Sequence, residues 1–221
     1  EYMKLMKQYC GKEWHALLDF HKKELSFPAK SIIFNYGDPV EGIYFINKGN
    51  VKVLSQPNKD EERIIRLAND GMILGHRGIH ADTYYIRAVA QTDVKVSFLP
   101  INVFRSAMTA NHKLASYIIN FLSDELKDAE DRLKTLMITD PKIRIAKLLI
   151  KLLDSFGQSK DPKGKLAFQL SRHDISNMAG TTYETVIRTL NGFEKSKWIA
   201  FEGKEILIAN EKILRELATQ V

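Results

Sequence analysis

Residues 173–190 read HDISNMAGTTYETVIRTL. Residues compatible with a helix run up to Gly180 and away from it, so that glycine either breaks one long helix or separates two short ones. Its neighbours favour separation. Ser171 followed by Asp174 resembles an N-cap with an acidic third position, and Leu170 is placed to staple onto Ile175. That gives a short helix over about 172–179. Gly180 can then turn left-handed at little cost and close it. Thr181 is expected to open the next helix, because Thr181-x-x-Glu184 has capping-box spacing. Val186, Leu190 and Phe193 fall on the inner face of that second helix, leaving Tyr183, Glu184, Ile187, Arg188 and Asn191 outward. Two short helices around a tight turn make a helix-turn-helix. The next stretch, WIAFEGKEILI (198–208), has two β-rich runs around Glu202-Gly203-Lys204. It reads as a hairpin wing with Lys204 at its tip.

The outward face suits double-stranded DNA. An arginine there can donate two hydrogen bonds to guanine O6 and N7, and a glutamate can accept one from cytosine N4. The helix N-terminus and its threonines can hold phosphate. The candidate DNA-binding residues are Ser171, Arg172, Thr181, Thr182, Tyr183, Glu184, Thr185, Arg188 and Lys204. Plainer roles compete: Glu184 closing its capping box, Glu184 pairing with Arg188 four residues on, and Tyr183 packing as a half-buried aromatic.

Upstream, Thr139-Asp140-Pro141 restarts the chain, with Asp140 as cap and Pro141 at the first helical position. The helix runs through Ile145, Leu149, Leu152 and Phe156 and can end at Gly157, before a polar loop, GQSKDPKGK (157–165). A domain boundary is expected near 138. Before it, residues 111–137 carry Leu114, Ile118, Phe121/Leu122, Leu126, Ala129, Leu133 and Leu136 at helical spacing. That stripe suits a helix packed on its own domain or a dimer seam between two copies, through Ile118, Leu122, Leu126, Ala129 and Leu133. Residues 30–100 have a different texture. Short β-branched and aromatic runs are broken by Gly37-Asp38-Pro39 and Lys48-Gly49-Asn50, which predicts an all-β barrel or sandwich. About 3–24 reads as one or two short helices.

The chain has 221 residues, 44% hydrophobic and 27% charged, enough for one large or two modest domains with buried cores. No apolar run approaches the roughly 20 residues a membrane span needs, and no signal peptide is expected. One cysteine, Cys10, permits no intrachain disulfide and no all-cysteine metal or iron–sulfur site, so a reducing cytoplasm is the simplest compartment. The net charge is +6, of which +4 lies in residues 140–221, compatible with a nucleic-acid partner. The sequence offers no nucleophile–base pair or phosphate-transfer loop. No enzyme activity, catalytic residue or cofactor is therefore expected.

LSRHDISNMAGTTYETVIRTLNGFEKSKWI (170–199) resembles the DNA-binding signature of the Crp–Fnr family of bacterial transcription regulators. YGDPVEGIYFINKGNVKVL (36–54) resembles the family's cyclic-nucleotide-binding-type jelly roll, and GMILGHRGI (71–79) its glycine-rich turn. The likeness runs from about 15 to 221. It implies an α+β chain with a sensory β-barrel domain over 1–110, a long dimerisation helix over 111–137 and a winged helix-turn-helix domain over 138–221. It also implies a homodimer that places the helix at about 182–192 in successive major grooves of a two-fold symmetric operator, with RNA polymerase as a further partner. Glu184 and Arg188 fall on the family's base-reading positions. Tyr183 stands where the cyclic-AMP-binding members have an arginine.

The pocket departs from those members. His76 replaces the glutamate after the glycine turn, Tyr84 and Tyr85 replace an Arg-Ser pair, and Ala129 and Glu130 replace the adenine-reading Thr-Ser pair. Cyclic AMP is therefore not expected as effector. Any effector would meet Gly75, His76, Arg77, Tyr84, Tyr85 and Arg87. His76 and His80, four apart, could ligate haem or metal on a helix, but they lack supporting ligands, and no metal is expected. The alternative is a ligand-independent regulator whose barrel is only a dimer scaffold or protein-docking surface. A kinase-type regulatory subunit has no reason to carry a winged helix.

Overall fold

A computed structural model describes residues 2–58, 61–138, 140–159 and 164–220. The chain divides into two compact units, one through Leu126 and one from Lys127 onward.

The first unit opens with two short helices, α1 (Tyr2–Tyr9) and α2 (Lys12–His21). Strands follow sooner than expected: β1 (Lys23–Phe27) lies in the stretch read as helical to 24, because Leu25 and Phe27 alternate with Glu24 and Ser26. The other strands are β2 (Ile32–Phe34), β3 (Gly42–Lys48), β4 (Val51–Asn58), β5 (Glu61–Ala68), β6 (Ile73–Leu74), β7 (Arg87–Ala90) and β8 (Val94–Pro100). They pair into two four-stranded sheets, ordered β1-β8-β3-β6 and β2-β7-β4-β5. The pairings are antiparallel, and the crossovers between non-consecutive strands are those of a jelly roll.

The apolar run Gly42–Ile46 is buried throughout because β3 separates two cores. Tyr44 and Ile46 face the barrel interior with Phe34, Tyr84, Val96 and Phe98. Ile43 and Phe45 face outward onto Met6, Leu18, Leu99, Phe104, Leu114 and Ile118, the core under the helices. Fully burying one such side chain contributes about 1.5–3 kcal/mol. The helices of that layer include α3 (Ile101–Ala110) and the first half of α4 (His112–Met137).

The second unit contains the end of α4, then α5 (Pro141–Phe156), α6 (Arg172–Ala179), α7 (Tyr183–Lys195), the hairpin β9 (Ile199–Glu202) and β10 (Glu205–Ile208), and α8 (Glu211–Ala218). Asp140 caps α5, its carboxylate accepting from the Lys142 N–H at 2.7 Å. Thr139 and residues 160–163 of the polar loop lie outside the described residues. The sequence reading stopped short of α8. It is capped by Asn210 and buries Leu214 and Leu217, and Arg215 reaches Asp154 of α5 at 2.5 Å.

Candidate nucleic-acid interface

Gly180 separates two helices. Its backbone is left-handed, at φ 59° and ψ 45°, and it ends α6. A Cβ there would lie 2.7 Å from the Leu136 side chain, so the turn favours glycine on steric as well as conformational grounds. At the other end of α6 the capping box is complete. Ser171 Oγ accepts from the Asp174 N–H at 3.1 Å, and Asp174 accepts from the Ser171 N–H at 3.0 Å.

The second cap sits one residue later than expected. The Thr181 N–H is spent on Ser176 O at 3.0 Å, closing α6. Thr182 is the residue in extended conformation, and its Oγ1 accepts from the Thr185 N–H at 3.2 Å. Glu184 thus falls a position too early to close a box with the cap. Among the described residues no ion pair joins it to Arg188. Both side chains stand exposed, with Tyr183 beside them 52% exposed. Val186, Leu190 and Phe193 are buried beneath, as their spacing requires. Asn191 and Lys195 continue the exposed face toward the C-terminus.

The wing is a hairpin in which Glu202 pairs with Glu205 around a two-residue Gly203-Lys204 loop, leaving Lys204 exposed. Several of the expected DNA-binding residues are engaged within the protein, among them Thr182 and Thr185, whose hydroxyls bond each other at 2.9 Å. The Ser171 hydroxyl is held by Asp174 at 2.7 Å. Arg172 turns to the wing: its guanidinium lies 4.5 Å from the centroid of the Phe201 ring and donates to Lys204 O at 3.1 Å. Thr181, Thr182, Tyr183, Glu184, Thr185 and Arg188 share the N-terminal half of α7 and its approach.

Sequence reasoning missed Arg144. It is buried on α5 and donates from Nε to Ala179 O at 2.8 Å, from Nη2 to Gly180 O at 3.1 Å and from Nη1 to Ile138 O. One guanidinium thereby ties the glycine turn to the chain entering α5. An arginine inside the apolar run KIRIAKLLIKLL (142–153) was the available signal.

In the barrel the expected pocket residues do not all face one point. Gly75 is left-handed at φ 82°. A Cβ there would meet Gly42 O at 2.8 Å and the Tyr84 hydroxyl at 3.3 Å. Tyr84 lies inside the barrel, stacked on Phe34 at 4.1 Å and donating to Gly42 O at 2.9 Å. Burial raises the phenol pKa of Tyr84 and pushes that of Tyr44 up to about 12, so both stay neutral. Tyr85 points the other way and is 58% exposed, a consequence of strand-like alternation. Arg87 is engaged with Asn35 and Glu62, each at 2.7 Å, and lies over the Tyr36 ring. His76 is buried while His80 is exposed, so the two do not face a common point.

His76 and Arg77 instead face α4. Glu125 binds Arg66 at 2.9 Å and Arg77 at 3.2 Å, with His76 Nε2 3.6 Å away and its ring edge-on to Phe121. Burial alone would raise the Glu125 pKa, but its charged and polar neighbours hold it down at about 2; burial also lowers that of His76, leaving the ring neutral at pH 7. Both shifts mean that the unfolded chain binds more protons in acid. The Glu125 contribution is present above about pH 4.5 and is lost as pH falls toward 2. Urea unfolding at stepped pH should show the barrel losing up to roughly 3 kcal/mol from this one group, at 1.36 kcal/mol per unit. Glu125→Gln should be less stable at pH 7 and show a flatter acid limb.

The stripe on α4 also needs correction. Ile118 is 1% exposed and belongs to the core of its own unit. The apolar residues left exposed along α4 are instead Ile119, Leu122, Leu126, Leu133 and Leu136, with Ala129 half-buried among them. From 119 to 136 these positions alternate three and four apart, the spacing of a coiled-coil seam.

Comparison with known proteins agrees with this geometry. Residues 143–217 match the Crp-like helix-turn-helix domain and residues 24–111 the cyclic nucleotide-binding domain. Electron transport regulator A of Shewanella oneidensis is 28% identical over 186 residues, 84% of this chain and 74% of that protein. The CRP-like cAMP-activated global transcriptional regulator of Mycobacterium tuberculosis is 24% identical over 204 residues, 92% of this chain and 91% of the other. The solved structure of FixK2 from Bradyrhizobium japonicum has the same fold, with a TM-score of 0.80 at 22% identity, covering 90% of this chain and 98% of that one. No described helix is long and apolar enough to cross a membrane.

Proposed function

As this chain belongs to the Crp–Fnr family of DNA-binding transcription regulators, we propose that it binds a two-fold symmetric operator as a homodimer joined along α4. Regulators of this family bind DNA and act as dimers. The observation that carries the reading is the N-terminal half of α7: Tyr183, Glu184 and Arg188 stand exposed at a capped helix end, with a basic wing tip beyond. Glu184 and Arg188 read base edges in the major groove, while Thr181, Thr182, Thr185 and Lys204 hold phosphates. The barrel over 1–110, the helix over 111–137 and the DNA-binding part over 138–221 divide the labour. RNA polymerase is the further partner, and the cytoplasm the compartment.

Arg188→Ala should cost about 1–3 kcal/mol on the selected operator and relax preference at one base pair per half-site, read by competition binding against single-base variants. A uniform loss across all sequences would assign Arg188 to the backbone instead.

An effector, where one acts, is not cyclic AMP. Tyr84, Tyr44, Phe34 and Phe98 fill the barrel interior, and the Tyr84 hydroxyl lies against the Gly75 turn. Charge-assisted partners worth roughly 1.5–3 kcal/mol each are replaced, which moves affinity toward the millimolar range. Calorimetric titration with cyclic AMP and cyclic GMP should show no low-micromolar binding. Such binding, with a matching gain in operator affinity, would contradict this.

A further inference from the structure

Arg172 lies at the start of α6, a position from which a long basic side chain could reach DNA directly. Its guanidinium points elsewhere. It stacks 4.5 Å from the Phe201 ring of β9 and donates to the carbonyl of Lys204, the residue at the wing tip, at 3.1 Å. The Arg172 side chain is half-buried by this arrangement, whereas Lys204 is exposed. Other contacts brace the strands that carry the tip. Below it, the Gln169 side chain accepts from the Ile206 N–H at 3.0 Å and donates to Ile206 O at 3.2 Å. Lys165 reaches Glu202 and Glu205, the two residues that flank the loop, but neither bridge touches Lys204 itself.

We propose that Arg172 is a positioning residue: it fixes the wing tip against the first helix of the motif, so that Lys204 meets a DNA phosphate in one preset place. This rests on the DNA-binding reading above and adds how the wing is aimed. A loop backbone left unfixed must be ordered when DNA binds, and each rotamer-rich group immobilised then weakens association. A planar guanidinium suits the task, because one face stacks on the ring while its edge donates to a carbonyl. Lysine offers no such plane.

The test is a salt titration of operator and random-duplex binding by the whole chain, with Arg172→Ala, Lys204→Ala, the double variant and Phe201→Leu. The slope of log affinity against log salt falls by about 0.9 for each phosphate that the protein ceases to neutralise. If Arg172 acts through Lys204, each single variant loses about one such step. The double variant then loses no more than the worse single, because both remove the same phosphate interaction. Phe201→Leu removes no charge and keeps apolar bulk, yet should also flatten the slope; Phe201→Tyr should restore it, and Arg172→Lys should not. Three results would overturn the proposal: a double variant that loses two full steps, which makes Arg172 a phosphate ligand in its own right; an Arg172→Ala variant with wild-type slope; or a Phe201→Leu variant that melts like wild type and keeps the full slope. Failure of the wild-type chain to bind any duplex would be a separate result, against the DNA-binding reading and therefore against this one as well.

Discussion

The double replacement Leu126→Glu with Leu133→Glu should yield a folded monomer whose operator affinity is lower by roughly 100- to 10,000-fold, the range that tethering supplies. Both leucines are more than 60% exposed in the single chain, so neither supports the fold of its own unit. On a two-fold seam each would face its own copy, and glutamates there would bring like charges together in place of apolar packing. Once one half-site is held, the second binds at a high effective concentration, and a monomer forfeits that gain while each α7 still touches DNA as before. Sedimentation at micromolar concentration gives the oligomeric state, thermal melting gives the fold, and a half-site duplex separates intrinsic affinity from avidity. Wild-type dimerisation by the variant would place the interface elsewhere. Ile118→Glu makes the contrast. Because Ile118 is buried in its own unit, that change should unfold the barrel rather than simply release a monomer.

Arg144→Leu should destabilise the DNA-binding unit by about 2–4 kcal/mol, since a buried carbonyl without a donor costs about 1–3 kcal/mol. Leucine keeps apolar bulk, so what disappears is the set of donors to Ile138, Ala179 and Gly180. Lysine should recover only part of the stability, because an ammonium cannot present a planar fork to three separate oxygens. Urea denaturation followed through Trp198 in a Trp14→Phe background reports the unit that carries Arg144. An unchanged midpoint would show that water serves those carbonyls as well as the guanidinium does.

Much of this was legible in the sequence because it depends on local chemistry. Gly180 between two capped, amphipathic stretches leaves few structures open, and Ser171 with Asp174 does cap α6. The errors share a cause: each concerns a residue whose role is set by where its neighbours are drawn in the folded chain. Thr181 looked like the cap, but its N–H is drawn back to Ser176, which shifts the cap to Thr182. Ile118 and Ile119 are equally apolar neighbours, and only the packing of α4 on the barrel's outer core decides which of them stays exposed. Tyr84 and Tyr85 divide in the same way between interior and solvent. The contacts of Arg172 with Phe201 and Lys204 O are likewise set by the folded wing and could not be read from its neighbours in sequence. Arg144 was marked only by standing inside an apolar run, and its partners could not be read locally because the acceptors at Ile138, Ala179 and Gly180 are scattered over residues 138–180.

Selection of bound sequences from a random duplex library by the purified chain tests the central claim most directly. A homodimer that presents α7 from each copy should enrich a two-fold symmetric site, its half-sites one helical turn or a multiple of it apart. Arg188→Ala should relax one symmetric pair of positions in that site. Enrichment of an asymmetric site, or of none beyond what positive charge alone retains at low salt, would contradict the account.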